Sequence, residues 1–196
     1  MASLSYLWSN RVKFPISSIA FYKCWAKRVL CMPELIKRNK RRSVLINEGA
    51  SIDATAEIGE VSFILSRKNL TIGAFSFIGK AQITLRGEVN IGNNVCISDN
   101  VKIITGSHDV SDPQWGYVKG RVIIEDYVWI ATDAIILSNV HIGRGAVIGA
   151  GAVVSKNVAA GSIMVGNPAK PITKVRCEEL NYNPCEFLAA NNAWLK

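Results

Sequence analysis

Read at every sixth residue, positions 124–160 give Ile124, Ile130, Ile136, Ile142, Ile148, Val154 and Ala160. Two residues before each of the later six stand Val128, Ala134, Val140, Ala146, Ala152 and Val158. One residue earlier still stand Tyr127, Asp133, Asn139, Gly145, Gly151 and Asn157. All but Tyr127 are Gly, Asn or Asp, which reach a left-handed backbone at low cost. A period of six is neither that of a helix nor that of an alternating strand. It predicts a parallel β-helix built from hexapeptides, each one short strand plus one corner. The large aliphatic points inward, the small Val or Ala fits beside it, and the Gly, Asn or Asp makes the turn. Three strands close a triangular coil of roughly 18 residues that buries its open face only by stacking on a neighbour.

The same pattern runs through residues 44–103 with breaks. Ile52, Ile58, Ile64 and Leu70 keep the period, and Ile72 and Ile78 continue two residues out of phase. The register is irregular over residues 81–88 and recovers at Ile91, Ile97 and Ile103, with Asn94 and Asn100 at corners. The expected architecture is all-β: about five coils over residues 46–172, an N-terminal helical arm over 1–45, and a cap over 173–196. The cap is read as a loop and a short helix lying over the last coil.

Composition sets bounds on this. At 49% hydrophobic and 19% charged residues the chain is globular. No apolar run reaches the length of a membrane span, and Lys and Arg interrupt the N-terminal apolar stretch, against a secretory signal. The cysteines, Cys24, Cys31, Cys96, Cys177 and Cys185, are odd in number and form no CxxC pair. They read as reduced thiols of a cytoplasmic protein with no zinc framework.

The net charge of +8 is unevenly placed: residues 1–42 hold ten bases and one acid, Glu34. The remaining 13 bases and 14 acids nearly cancel, so any nucleic-acid reading would rest on the arm alone, and none is expected. Residues 19–32 suit an amphipathic helix, with Pro33 expected to end or kink it. Two readings of the arm stand. It caps the open end of the coil or packs on a neighbouring subunit, or it makes a peripheral contact with an anionic membrane, at the inner face.

Between Ile103 and Ile124 the repeat stops, and residues 105–121 read TGSHDVSDPQWGYVKGR. Gly106, Pro113, Gly116 and Gly120 punctuate a loop thrown out of the solenoid, a usual place for function. Of the two histidines, His141 falls on the outer surface of the coil and reads as structural. His108 lies in the loop beside Asp109 and is the candidate for chemistry.

The chain resembles the hexapeptide-repeat acyltransferases, the left-handed β-helix family. Within it the match is to sugar and polysaccharide O-acetyltransferases of the colanic-acid acetyltransferase type. The residues that carry the resemblance are TGSHD at 105–109, VWIA at 128–131, VHIGRGAVIGAGAVV at 140–154 and VGNPAKPI at 165–172. The resemblance implies the left hand of the coil, acetyl-CoA as co-substrate, no metal, and a homotrimer with active sites between subunits. It implies direct transfer to a sugar hydroxyl, in capsule, exopolysaccharide or lipopolysaccharide synthesis. His108 matches the catalytic histidine, a neutral imidazole being able to take the hydroxyl proton.

Asp109 would orient His108 or contact the sugar. Trp129 matches a tryptophan near donor and acceptor, and Trp115 and Tyr117 offer faces on which a sugar can stack. For CoA the matching positions are Thr132 and Ala150, one coil apart, then Ser155, Lys156, Asn167 and Lys170. Lys156, Lys170, Lys174 and Arg176 would supply charge for its phosphates. Three alternatives stay open: transfer to the amine of an amino sugar, transfer to an antibiotic or other small molecule, and a non-enzymatic β-helix scaffold. A zinc enzyme of the same fold, needing three histidine ligands, is disfavoured because the chain has two.

Overall fold

In the computed structural model, which describes residues 2–196, the chain forms a left-handed parallel β-helix with three helices at one end. Five complete coils stack, and a sixth is begun. Inward side chains form three ladders. The first face carries Ile52, Ile72, Ile91, Ile124 and Ile142. The second carries Ile58, Ile78, Ile97, Ile130, Ile148 and Met164. The third carries Phe63, Ile83, Ile103, Ile136 and Val154. The Val and Ala positions fill the space between ladders and are buried. Burying one such aliphatic side chain contributes about 1.5–3 kcal/mol.

The corners follow the sequence closely. Asn94, Asn100, Tyr127, Asp133, Asn139, Gly145 and Gly151 all take positive φ. Asn157 is not among these residues; its side chain instead accepts a hydrogen bond from the His141 N–H.

The breaks in the period have a physical origin. Ile52 to Ile72 takes 20 residues, Ile72 to Ile91 takes 19, and Ile124 to Ile142 takes 18. The extra length of the first coil lies at a corner, where Leu65 turns left-handed and a 3-10 turn spans Arg67–Asn69. Before that corner the ladder is one residue short, Ile58 to Phe63 taking five residues, and two expectations are corrected. Ile64 points outward and is exposed, its inward seat being taken by Phe63; Leu70 occupies the small site aligned with Val89. At the far end Ala160 is exposed, and Val158 bridges Ile142 instead.

The helices are α1 (Leu4–Ser9), α2 (Ile19–Asn47) and α3 (Ala189–Leu195). Ser3 and Ser18 cap the first two with side-chain oxygens. Of the two outcomes expected at Pro33, the helix does not end there: α2 continues past it to Asn47. Proline removes one N–H and so leaves the carbonyl four residues earlier without its helical donor. That residue is Val29, on the exposed side of the helix. The last turns of α2 close the open end of the coil: Leu45 joins the main core, and Arg42 donates to the carbonyls of Ile52 and Ala56. Burial pushes the Arg42 guanidinium below its usual pKa, with Asp53 and Glu57 opposing the shift.

The C-terminal helix is also placed differently from expectation. It does not lie over the last coil. The chain returns along the solenoid, and α3 packs on α1 and α2 around a second small core of Leu7, Leu35, Ala190, Ala193 and Trp194. Its apolar face is therefore satisfied by the basic arm. Among the described residues no helix is long and apolar enough to cross a membrane.

Candidate active site

Residues 105–121 leave the corner between the third and first faces. They form an antiparallel hairpin, Gly106–His108 against Tyr117–Lys119. Its root is clamped. The Thr105 hydroxyl, buried, donates to the Thr84 carbonyl and accepts from the Gly87 N–H, and the Gly120 N–H donates to the Thr105 carbonyl at 3.0 Å. Gly87 is required here, because a Cβ at that position would lie 2.0 Å from the Gly120 carbonyl oxygen.

His108 ends the outgoing strand, and its ring is fixed on three sides. Nδ1 lies 2.8 Å from the Trp115 carbonyl oxygen. The indole of Trp115 stacks on the imidazole, centroids 3.8 Å apart at 11°, and Tyr117 meets it edge-on at 5.2 Å. A carbonyl oxygen only accepts, so Nδ1 carries the proton. Nε2 is left with its lone pair, which is the arrangement a general base requires. The turn that presents this carbonyl is held by Asp112, whose two carboxylate oxygens accept from the Gln114 and Gly116 N–H groups. Trp115 itself takes positive φ.

The Asp109 carboxylate accepts from the Ser111 N–H and so shapes the turn. The orienting partner of His108 is a backbone carbonyl, which no side-chain motif announces. Asp112 was equally missed. Its signal in the sequence was the Asp-Pro-Gln-Trp-Gly turn, in which an aspartate can cap N–H groups two and four residues on. Arg86 was missed too; it packs over the Tyr117 ring at 4.8 Å.

The other expected site residues fall into separate groups. Thr132 and Ala150 are neighbours on the corner between the second and third faces, where the Gly151 N–H donates to the Thr132 carbonyl. The ending of the repeat folds onto the same corner: Lys170 pairs with Val165, and the Ala169 N–H donates to the Val153 carbonyl, which brings Asn167 there as well. Ser155 and Lys156 are not on this seam. They follow the Val153–Val154 strand of the third face and share the hairpin's corner. Trp129 lies outward on the second face, half exposed, between Cys96 and Val147, with its Nε1 3.4 Å from the Ser98 hydroxyl. Within one chain it is therefore on a different face from both strands that anchor the His108 hairpin.

Arg176 is engaged elsewhere, donating to the carbonyls of Tyr127 and Gly145 and to the Tyr182 hydroxyl. Burial raises the Tyr182 phenol and the Cys96 thiol above their usual pKa values. His141 is exposed as expected and pairs through Nε2 with Glu125 at 2.7 Å. Among the described residues no group of three or more His, Cys, Asp or Glu side chains is arranged to hold a metal ion.

Comparison with known proteins places these features in context. Residues 121–156 match the bacterial transferase hexapeptide (six repeats) family. An Escherichia coli K12 protein provisionally named a colanic acid biosynthesis acetyltransferase is 34% identical over 51% of this chain and 56% of its own. A Lactococcus lactis galactoside O-acetyltransferase is 32% identical over 61% of this chain and 63% of its own. The chain spans between 28% and 63% of the length of the curated relatives it matches. Among solved structures, a hexapeptide-repeat acetyltransferase of Vibrio cholerae complexed with acetyl coenzyme A superposes with a TM-score of 0.62. It is 21% identical, over 90% of this chain and all of that one.

Proposed function

With residues 121–156 as its hexapeptide-repeat signature, we propose that this chain is an acetyl-CoA-dependent O-acetyltransferase acting on a sugar hydroxyl. The observation that carries the reading is the His108 ring, held through Nδ1 by the Trp115 carbonyl, which would leave Nε2 to act as the base. A sugar hydroxyl is a poor nucleophile near neutral pH. As its oxygen attacks the thioester carbonyl, Nε2 takes the proton; the carbon–sulfur bond then breaks, and the thiolate receives the proton back. The products are an acetyl ester and free CoA. No serine or cysteine intermediate is needed. The oxyanion would be met by backbone N–H groups.

The seam of Thr132, Ala150, Asn167 and Lys170 supports a donor laid along stacked coils, since these positions share one corner. Ser155 and Lys156 would serve a second edge. Trp129 would complete the site from a neighbouring subunit, because it and the His108 hairpin occupy different faces of one chain. That division supports a homotrimer with the site between copies. The relatives that act on galactosides and in colanic acid biosynthesis, by their names, support a sugar or polysaccharide acceptor.

The test is release of CoA thiol from acetyl-CoA against a panel of sugars, nucleotide sugars and amino sugars, with His108→Ala in parallel. Turnover that needs both acceptor and His108 supports the proposal. Turnover that survives His108→Ala in an intact assembly overturns the mechanism. Stability of the product in mild base separates an amide from an ester.

A further inference from the structure

The helix α2 carries two apolar faces, and only one of them is covered. Cys24, Arg28 and Leu35 are buried against α1, α3 and the segment before α2. On the opposite side Ile19, Tyr22, Val29 and Leu30 are 74%, 63%, 63% and 81% exposed. Ala26 and Pro33 are exposed on the same stripe. The spacing of three and four residues aligns them along one side of the helix for about 21 Å. Ile16, just before the helix, extends the patch at 72% exposure.

The charge around this stripe is of one sign. No acid occurs before Glu34, and Glu34 is taken by Arg38 at 2.6 Å. Lys23 and Lys27 are exposed along the border of the stripe, and Lys13 is exposed in the segment before it. Arg28 is not part of this surface. It is buried, stacks on Trp25 and Trp194, and donates to the carbonyls of Val12 and Ala193. Further along, Lys37 and Arg41 pair with Glu60 of the first coil.

We propose that this face of α2 docks on the surface of a bilayer containing anionic phospholipid, with the stripe of Ile19, Tyr22, Val29 and Leu30 lying among the acyl chains. Apolar stripes bordered by lysine bind in this way, the apolar part by burial and the lysines by attraction to headgroup charge. Charge decides between a membrane and a second copy of the chain. The exposed bases beside the stripe are Lys13, Lys23 and Lys27, and the one acid near it, Glu34, is paired with Arg38, so two such faces brought together would repel. No helix among the described residues can cross the bilayer, so the contact is along the surface. The proposal is independent of the acetyltransferase reading.

The full chain is centrifuged with vesicles of phosphatidylcholine alone and with vesicles in which phosphatidylglycerol replaces part of it. Pelleting is expected with the anionic vesicles and is expected to weaken as salt is raised. Tyr22→Glu combined with Leu30→Glu, and separately Lys23→Glu combined with Lys27→Glu, should each lower the bound fraction about tenfold or more. All four side chains are exposed, so folding is spared, and circular dichroism checks this. Absence of pelleting with either vesicle overturns the proposal. So does binding that the glutamate variants leave unchanged, or a change of oligomeric state in Tyr22→Glu/Leu30→Glu, which would assign the face to another copy of the chain. Acetyl transfer to a soluble acceptor should be unaffected in these variants, which keeps this test separate from that of the proposed activity.

Discussion

The Nδ1 of His108 lies 2.8 Å from the carbonyl oxygen of Trp115, seven residues further along the same hairpin. The side chain of Trp115 also stacks on the ring whose tautomer its own backbone sets. One residue thus fixes both the proton and the plane of the imidazole. His108→Ala should lower the rate of transfer about 10²–10⁴-fold, the usual loss for a general base. Asp112→Ala removes the acceptors that hold the turn, so the Trp115 carbonyl is no longer held in place. With His108 as the proposed base, the expected result is a kcat reduced about tenfold or more at similar KM for acetyl-CoA, because the imidazole is misplaced while the seam proposed for the donor is untouched. Steady-state kinetics of the two variants checks this. A fall in donor affinity in place of kcat would count against the assignment of the base.

The corners offer a test of the coil itself. Asn100 turns at φ 61 and is exposed, and its N–H reaches the Lys80 carbonyl of the coil below. Asn100→Val places a β-branched side chain in the left-handed region and should destabilise by about 1–2 kcal/mol. Asn100→Gly tolerates that φ and should be near neutral. Chemical denaturation of the pair measures the contrast. Equal losses for the two would mean that the asparagine side chain, and not its backbone, holds the corner.

The solenoid was legible because each of its parts repeats. Ile124, Ile130 and Ile136 declare the three faces, and Asp133 and Asn139 declare the corners. Ile64 is displaced because Ile58 to Phe63 takes five residues in place of six, and Leu70 because the corner after Phe63 is lengthened by a local 3-10 turn; neither change has a period to betray it. That α2 does not end at Pro33 is not legible in the sequence, because the cost of the missing N–H depends on what surrounds the Val29 carbonyl, a tertiary fact. At the site, His108 stood out as a polar residue in an interruption. Its orienting group is a main-chain oxygen, and the division between two corners of the residues proposed for the donor depends on where each strand ends. Neither is written in side-chain identity.

The thiols should differ sharply in reactivity. Cys177 is exposed, Cys24 and Cys185 are buried, and all five cysteines are free. Burial pushes the Cys185 thiol far above its usual pKa and raises Cys96 as well. The thiolate is the reactive form. An aromatic disulfide reagent should therefore label the native protein first at Cys177, and Cys185 only after denaturation. Cys177→Ser should abolish the fast phase. The point bears on the CoA assay, since protein thiols read out with the same reagent. A fast phase that persists in Cys177→Ser would show that a second thiol is accessible.

Acid should loosen the joint between α2 and the first coil. Glu60 accepts from Arg41 at 2.8 Å and lies 3.5 Å from Lys37. Its pKa is lowered from the ordinary 4.5, first through the hydrogen bond from Arg41 and then by the charges of Arg41 and Lys37. A carboxyl whose folded pKa is depressed stabilises the fold above its unfolded value and loses that contribution as pH falls through the folded value. Glu60 is fully exposed, so the effect is small and screened by salt. Glu60→Gln should therefore melt slightly below the parent at neutral pH and low salt. The two curves should converge at acid pH below the usual carboxylate range, and also at neutral pH in high salt. A gap that grows on acidification would carry the opposite sign and would rule out this ion pair as the tie that holds α2 against the first coil.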